Sequence, residues 1–224
     1  MATPDIVRAT RALVHGRVKV CGLTREDDAA KAASSGATHA GIIFAEASKR
    51  SAGNEARAIA DAARRGGSKA VGVFQDQAPD FVAAKAHDLG LDAVQLHGNE
   101  SGLQELKSRL PEGCEIWAAC PVGVEVAPER TDADRILYDT QRGGRCGGTG
   151  EVFDWTLLED RPALSDAFIA GGLEPSNVRA AQQVGAYGID VSSGVESAPG
   201  VKDEIKMAAL FQALRPACRR TECA

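Results

Sequence analysis

The chain has 224 residues, 44% hydrophobic, 25% charged and only 4% aromatic, with a formal net charge of -5. That length supports one large α/β core, and the acidic balance excludes the basic stripe that a nucleic-acid binder needs. No apolar run is long enough to span a membrane and no signal-peptide block opens the chain, so a soluble, cytoplasmic domain without nucleic-acid or membrane partners is expected.

In chain order, residues 1–17 read as an extension or linker, with a short helix expected over Ile6 to Val14. Eight β-like runs follow: Val18–Cys21, Ala40–Phe44, Ala70–Phe74, Ala93–His97, Glu115–Cys120, Arg135–Asp139, Ala167–Ala170 and Gly188–Val191. Between them lie helical stretches with recognisable starts and stops. Thr24 reads as an N-cap before an acidic first turn, with Gly36 as the stop. Helices are also expected over Asn54–Arg65, Pro79–Leu89, Glu100–Leu110, Pro175–Val184 and Val201–Leu214. The fifth and sixth units are weak, because Pro121 and Pro128 punctuate one and Asp154–Glu159 is short.

Eight strand–helix alternations fit either an open doubly wound sheet or a closed barrel. An open sheet of this length has fewer strands, so a single (β/α)8 TIM barrel over residues 18–215 is expected. Residues 216–224 form a tail that is expected to fray. The six cysteines, Cys21, Cys114, Cys120, Cys146, Cys218 and Cys223, contain no Cys-x-x-Cys pair and no zinc-finger spacing. Reduced thiols and no metal site are expected.

Function in such a barrel sits at the C-terminal strand tips. Reading only those positions collects Cys21, Glu46–Arg50, Asp76, Gln95 with His97, Cys120, Asp139, Gly171-Gly172 and Asp190–Gly194. The last two tips carry glycines and hydroxyls (Gly171, Gly172, Ser192, Ser193, Gly194), which let backbone N–H groups approach an oxyanion. Either loop alone reads as a turn; two in succession, after the seventh and eighth strands, read as a phosphate site. The other residues stay ambiguous when taken singly. Cys21 is a core thiol or a reactive one, Asp139 a turn carboxylate or a general acid, and Arg50 a solvated or a ligand-binding guanidinium. His97 reads as structural or catalytic, and Gly147–Gly150 as a linker or as a loop that folds over the ligand.

Taken together and in order, Val-Lys-Val-Cys-Gly-Leu-Thr, Ser-Lys-Arg, Val-Gly-Val-Phe, Val-Gln-Leu-His-Gly-Asn-Glu, Gly-Gly-Thr-Gly with Phe-Asp-Trp, Ala-Gly-Gly-Leu, Asp-Val-Ser-Ser-Gly-Val-Glu and Pro-Gly-Val-Lys-Asp resemble phosphoribosylanthranilate isomerase of tryptophan biosynthesis. The resemblance runs from about Val18 to Leu214. It implies an Amadori rearrangement of N-(5-phosphoribosyl)anthranilate to 1-(2-carboxyphenylamino)-1-deoxyribulose 5-phosphate, with no cofactor and no metal. Carried over position by position, Cys21 is the general base and Asp139 the general acid. Arg50 receives the anthranilate carboxylate, and Asp190 accepts a hydrogen bond from the substrate amine. Gly171, Gly172, Ser192, Ser193 and Gly194 hold the phosphate, with Gln95 and His97 in support. That chemistry needs a thiol pKa depressed below the usual value of about 8.5 and a carboxyl pKa raised.

Pro4 to Gly16 resembles the stretch that links indole-glycerol-phosphate synthase to the isomerase in fused enzymes, which implies fusion to or association with that synthase. A histidine-pathway aminoimidazole isomerase is the nearest rival, but that chemistry typically uses paired aspartates, so the cysteine at position 21 and Arg50 favour anthranilate. A catalytically dead phosphate-binding barrel used for docking is the alternative from another class, and the presence of Cys21, Asp139 and Arg50 speaks against it.

Overall fold

Every apolar run has two faces to bury, one against a helix and one inside a closed cylinder. The computed structural model describes residues 16–98, 102–130, 132–142, 145–146 and 152–215. Its strands are β1 (Arg17–Val20), β2 (His39–Ile43), β3 (Lys69–Gln75), β4 (Ala93–His97), β5 (Glu115–Val122), β6 (Arg135–Arg142), β7 (Phe168–Ile169) and β8 (Gly188–Val191). Each pairs in parallel with the next, and β8 returns to β1 through Lys19 opposite Asp190. The sheet is a closed eight-stranded (β/α)8 barrel, as expected from the periodicity.

The helices are α1 (Glu26–Ser35), α2 (Ala56–Arg65), α3 (Pro79–Leu89), α4 (Leu103–Arg109), α5 (Val178–Gln183) and α6 (Glu204–Ala213). The two weak units are confirmed as such. Among the described residues no α-helix joins β5 to β6, and none lies between β6 and β7, where the strand Arg145–Cys146 turns back antiparallel on the end of β6 and short 3-10 turns follow at Trp155–Leu158 and Leu164–Asp166.

Most elements begin or end one to three residues from the range expected from sequence, and some of these shifts change a contact. Arg17 belongs to β1 and not to the extension. Thr24 does not cap α1; its Oγ1 donates to the Gly200 carbonyl at 2.6 Å, and Arg25 takes the cap position without a side-chain bond. Residues 201–202 are not helical but close a two-stranded hairpin with Glu196–Ala198. Asp203 is the true cap of α6, accepting from Ile205 and Lys206 N–H at 2.9 and 3.0 Å. Residues 1–15 and 216–224, Glu100 and the glycine run 147–150 lie outside the described residues.

Strand alternation sorts the side chains. Val18 and Val20, Ile136 and Tyr138, and Ile189 and Val191 pack into the outer core beneath the helices. Their neighbours Lys19, Asp139 and Asp190 therefore point into the barrel. The interior is plugged by Trp117 stacked on Phe168, ring centroids 4.7 Å apart, with His39 set edge-on to both. That plug leaves the C-terminal mouth as the open end.

Candidate active site

Nearly all the candidate residues meet in one cleft at that mouth. Cys21, Arg50, Gln95, His97, Asp139, Gly171, Gly172, Asp190, Ser192 and Ser193 line it. Gly194 does not; it sits in the 3-10 turn Ser193–Val195, where a side chain would collide with the Leu173 carbonyl. Asp76 stays out of the cleft too, and Cys120 faces the outer core, where its Sγ donates to Ala127 O at 3.3 Å.

Cys21 is the first residue after β1, and its N–H extends the ladder by donating to Val191 O at 2.8 Å. Across the barrel, Asp139 lies within β6 and is buried. Burial, reinforced by the nearby Asp190 carboxylate, pushes the Asp139 pKa up to about 7, against the pull of Lys19. This is the shift a general acid needs. The expected depression of the Cys21 thiol is not found. Burial pushes it up, and the opposing ammonium groups of Lys19 and Lys202 do not cancel that effect. Desolvation of a thiolate in a closed barrel outweighs the two cations.

Two lysines absent from the sequence reading organise the cleft. Lys19, 0% exposed, bonds Asp190 Oδ2 at 2.7 Å. Lys202 Nζ donates to Cys21 O at 2.6 Å, Ser192 O at 3.1 Å and Glu196 Oε1 at 2.9 Å. It ties the cysteine, the serine loop and Glu196 into one unit. A lysine within a β-run is a visible signal, since strand alternation already sends residue 19 to the same side as residue 21.

Arg50 is held rather than solvated. Its side chain is 19% exposed and Nε and Nη2 are committed to Glu196, which leaves Nη1 without a partner among the described residues. Gly171 and Gly172 adopt φ of 89° and 61°, so their backbone follows a path that favours glycine. A side chain on Gly171 would strike Thr140 Oγ1. Asn177 Nδ2 donates to Gly172 O at 2.9 Å and steadies the turn. Ser192 Oγ donates to Cys21 O at 3.2 Å.

Acceptors also face the cleft. Asp190 Oδ1 and Gln95 Oε1 are buried and unpaired among the described residues, which suits ligand O–H or N–H donors. Gln95 Nε2 lies 2.6 Å from His97 Nε2, and burial, aided by Lys19, holds His97 down at about 4. His97 is thus a neutral polar wall at physiological pH. Among the described residues no cluster of His, Cys, Asp and Glu could hold a metal ion.

A closed parallel barrel with a carboxyl, a thiol and a glycine–serine rim gathered at its C-terminal mouth defines a (β/α)8 barrel whose candidate site lies where such folds place theirs. The chain belongs to the N-(5′-phosphoribosyl)anthranilate isomerase family, whose model matches residues 18–213. A tryptophan biosynthesis protein TrpCF from Vibrio parahaemolyticus is 45% identical over 219 residues, covering 96% of this chain and 44% of that protein. The chain thus spans less than half the length of that relative. An N-(5′-phosphoribosyl)anthranilate isomerase from Rubrobacter xylanophilus is 40% identical over 83% of this chain and 92% of its own length. The crystal structure of phosphoribosyl anthranilate isomerase from Thermus thermophilus superposes with a TM-score of 0.73 at 35% identity, covering 88% of this chain and 98% of that one. Another isomerase of this kind, solved with reduced 1-(o-carboxyphenylamino)-1-deoxyribulose 5-phosphate, gives 0.70 at 32% identity over 89% of this chain and 98% of that one.

Proposed function

We propose that the chain isomerises N-(5-phosphoribosyl)anthranilate to 1-(2-carboxyphenylamino)-1-deoxyribulose 5-phosphate, with Asp139 as general acid and Cys21 as general base. The observation that carries this reading is the buried Asp139, raised to about 7 and facing the same cleft as the Cys21 thiol. Asp139 protonates the ribose ring oxygen, and the ring opens to the protonated Schiff base. The Cys21 thiolate then takes the proton from the adjacent carbon, giving an enolamine. That enolamine gains a proton at C1 and loses its hydroxyl proton to become the ketone, and the two side chains return to their starting states without net proton change.

The phosphate is assigned to Gly171, Gly172, Ser192 and Ser193, with Gly194, outside the cleft lining, shaping the turn beside them. The anthranilate carboxylate is assigned to Arg50, whose unpaired Nη1 offers a planar, charged donor. Asp190 Oδ1 is the acceptor for the anilino N–H. A cytoplasmic, reducing setting belongs to the same reading, because Cys21 must stay a free thiol.

The TrpCF relatives support a further step, that residues 1–16 link this barrel to an indole-glycerol-phosphate synthase in a longer protein. The whole reading is tested by complementing a tryptophan auxotroph that lacks the isomerase. Growth with the wild type and none with Cys21→Ala or Asp139→Asn is expected. Near wild-type kcat in both variants would sink the assigned roles.

A further inference from the structure

Lys19 is a full positive charge at the centre of a barrel. It lies in register with His39 on β2 and with Asp190 on β8, two residues before Cys21 on the same inward face. The charged and titratable groups that face it come from five places: Cys21 just after β1, Asp190 on β8, Asp139 on β6, His97 on β4 and His39 on β2. Burying an ammonium is costly, and a pair such as Lys19 with Asp190 is commonly replaceable by apolar residues without loss of stability. Packing therefore gives no account of why a lysine stands here.

Donor geometry does. Lys202 also neighbours Cys21, but all three of its Nζ donors are committed, to Cys21 O, Ser192 O and Glu196. Lys19 commits one donor to Asp190 Oδ2 and has the others to turn toward the Cys21 sulfur. Asp190, gripped by one oxygen, keeps Oδ1 unpaired. We propose that Lys19 is the positioning residue of this site: anchored on Asp190, its ammonium enlarges the share of Cys21 present as thiolate against the effect of burial and orients the second Asp190 oxygen toward the ligand.

The inference rests on the reading of Cys21 as the proton acceptor. On that reading, Lys19 stays bonded to Asp190 and stands on the same inward face as the thiolate that accepts the proton. An ammonium beside a buried sulfur stabilises its ionised form.

The test measures the second-order rate of iodoacetamide alkylation at Cys21 against pH, read by mass spectrometry of the Cys21 peptide, in wild type, Lys19→Met and Lys19→Arg. Each unit of thiol pKa changes the thiolate fraction at fixed pH about tenfold, so Lys19→Met should alkylate about tenfold or more slower at pH 8, and Lys19→Arg should recover most of the rate. Isomerase assays on the same proteins should show the loss in kcat at pH 7 to 8, with KM changed less. Where Lys19→Met fails to fold, Lys19→Gln, which still donates to Asp190 but carries no charge, replaces it in the same measurements. An alkylation profile unchanged in a folded uncharged variant overturns the proposal, as does an equally slow Lys19→Arg. Alkylation reads the thiol whether or not it is the base, so this failure is distinct from failure of the Cys21→Ala turnover test.

Discussion

Glu196 grips Arg50 with both carboxylate oxygens, accepting from Nε at 2.9 and 3.0 Å and from Nη2 at 2.8 Å. The grip sets the plane of the guanidinium and leaves one edge for a ligand carboxylate. Glu196→Gln should raise KM roughly tenfold with a smaller effect on kcat, because hydrogen bonds to charged groups contribute about 1.5–3 kcal/mol. Arg50→Lys should do at least as much, since an ammonium cannot meet two carboxylates in one plane. Steady-state kinetics decide this, and a KM unchanged in both variants removes Arg50 from the carboxylate role.

The reacting enzyme needs Asp139 protonated and Cys21 ionised, yet Asp139 titrates at about 7 and the thiol is pushed above its ordinary value. The reactive form is therefore a minor one. Below about pH 7 its fraction grows with pH as thiolate appears; above about pH 7 the loss of protonated Asp139 cancels that growth. The kcat/KM of wild type should rise to about pH 7 and then level off, with the break assigned to Asp139 although this group acts as an acid. A steady fall from pH 6 to 8 would contradict the order of the two pKa values.

Asp139 also carries a stability cost. Its pKa is raised in the fold, so between its unfolded value and about 7 the native state holds a proton that the unfolded chain has released. Stability from this group falls as pH rises through that window. Asp139→Asn should melt a few degrees above wild type at pH 8 and near it at pH 5, while losing nearly all turnover. Paired thermal melts at the two pH values check the sign, and a larger gain at pH 5 than at pH 8 would refute it.

Gly171→Ala should be severe. Its φ of 89° disfavours a side chain, and the added methyl would meet Thr140. Backbone strain of this kind costs about 1–3 kcal/mol before the collision is counted. A lower urea midpoint is expected, together with weaker inhibition of turnover by inorganic phosphate. Unaltered phosphate inhibition would argue that this turn does not hold the anion.

Much of the architecture is local and could be read from the letters. Pro79–Leu89 is helical over the range its proline start and Gly90 stop predict, and Ala93–His97 and Gly188–Val191 are strands with the expected limits. Alternation along β1, β6 and β8 likewise places Cys21, Asp139 and Asp190 at one mouth. Local rules failed where a longer-range partner competed. Thr24 looks like a cap, but it bonds Gly200, 176 residues away. Val201 and Lys202 have a helical pattern, but they pair with Glu196–Ala198 and send Lys202 inward.

Periodicity and glycine placement were enough for the barrel and the roster of rim residues, because these depend on neighbours a few positions apart, and the resemblance of the ordered motifs pointed to the family. The protonation state of Cys21, the grip on Arg50 and the place of Lys19 beside Asp190 were not available that way. Burial and charge depend on which distant strands close around a group. Lys19 meets Asp190, 171 residues later in the chain, only once β8 has come round to β1.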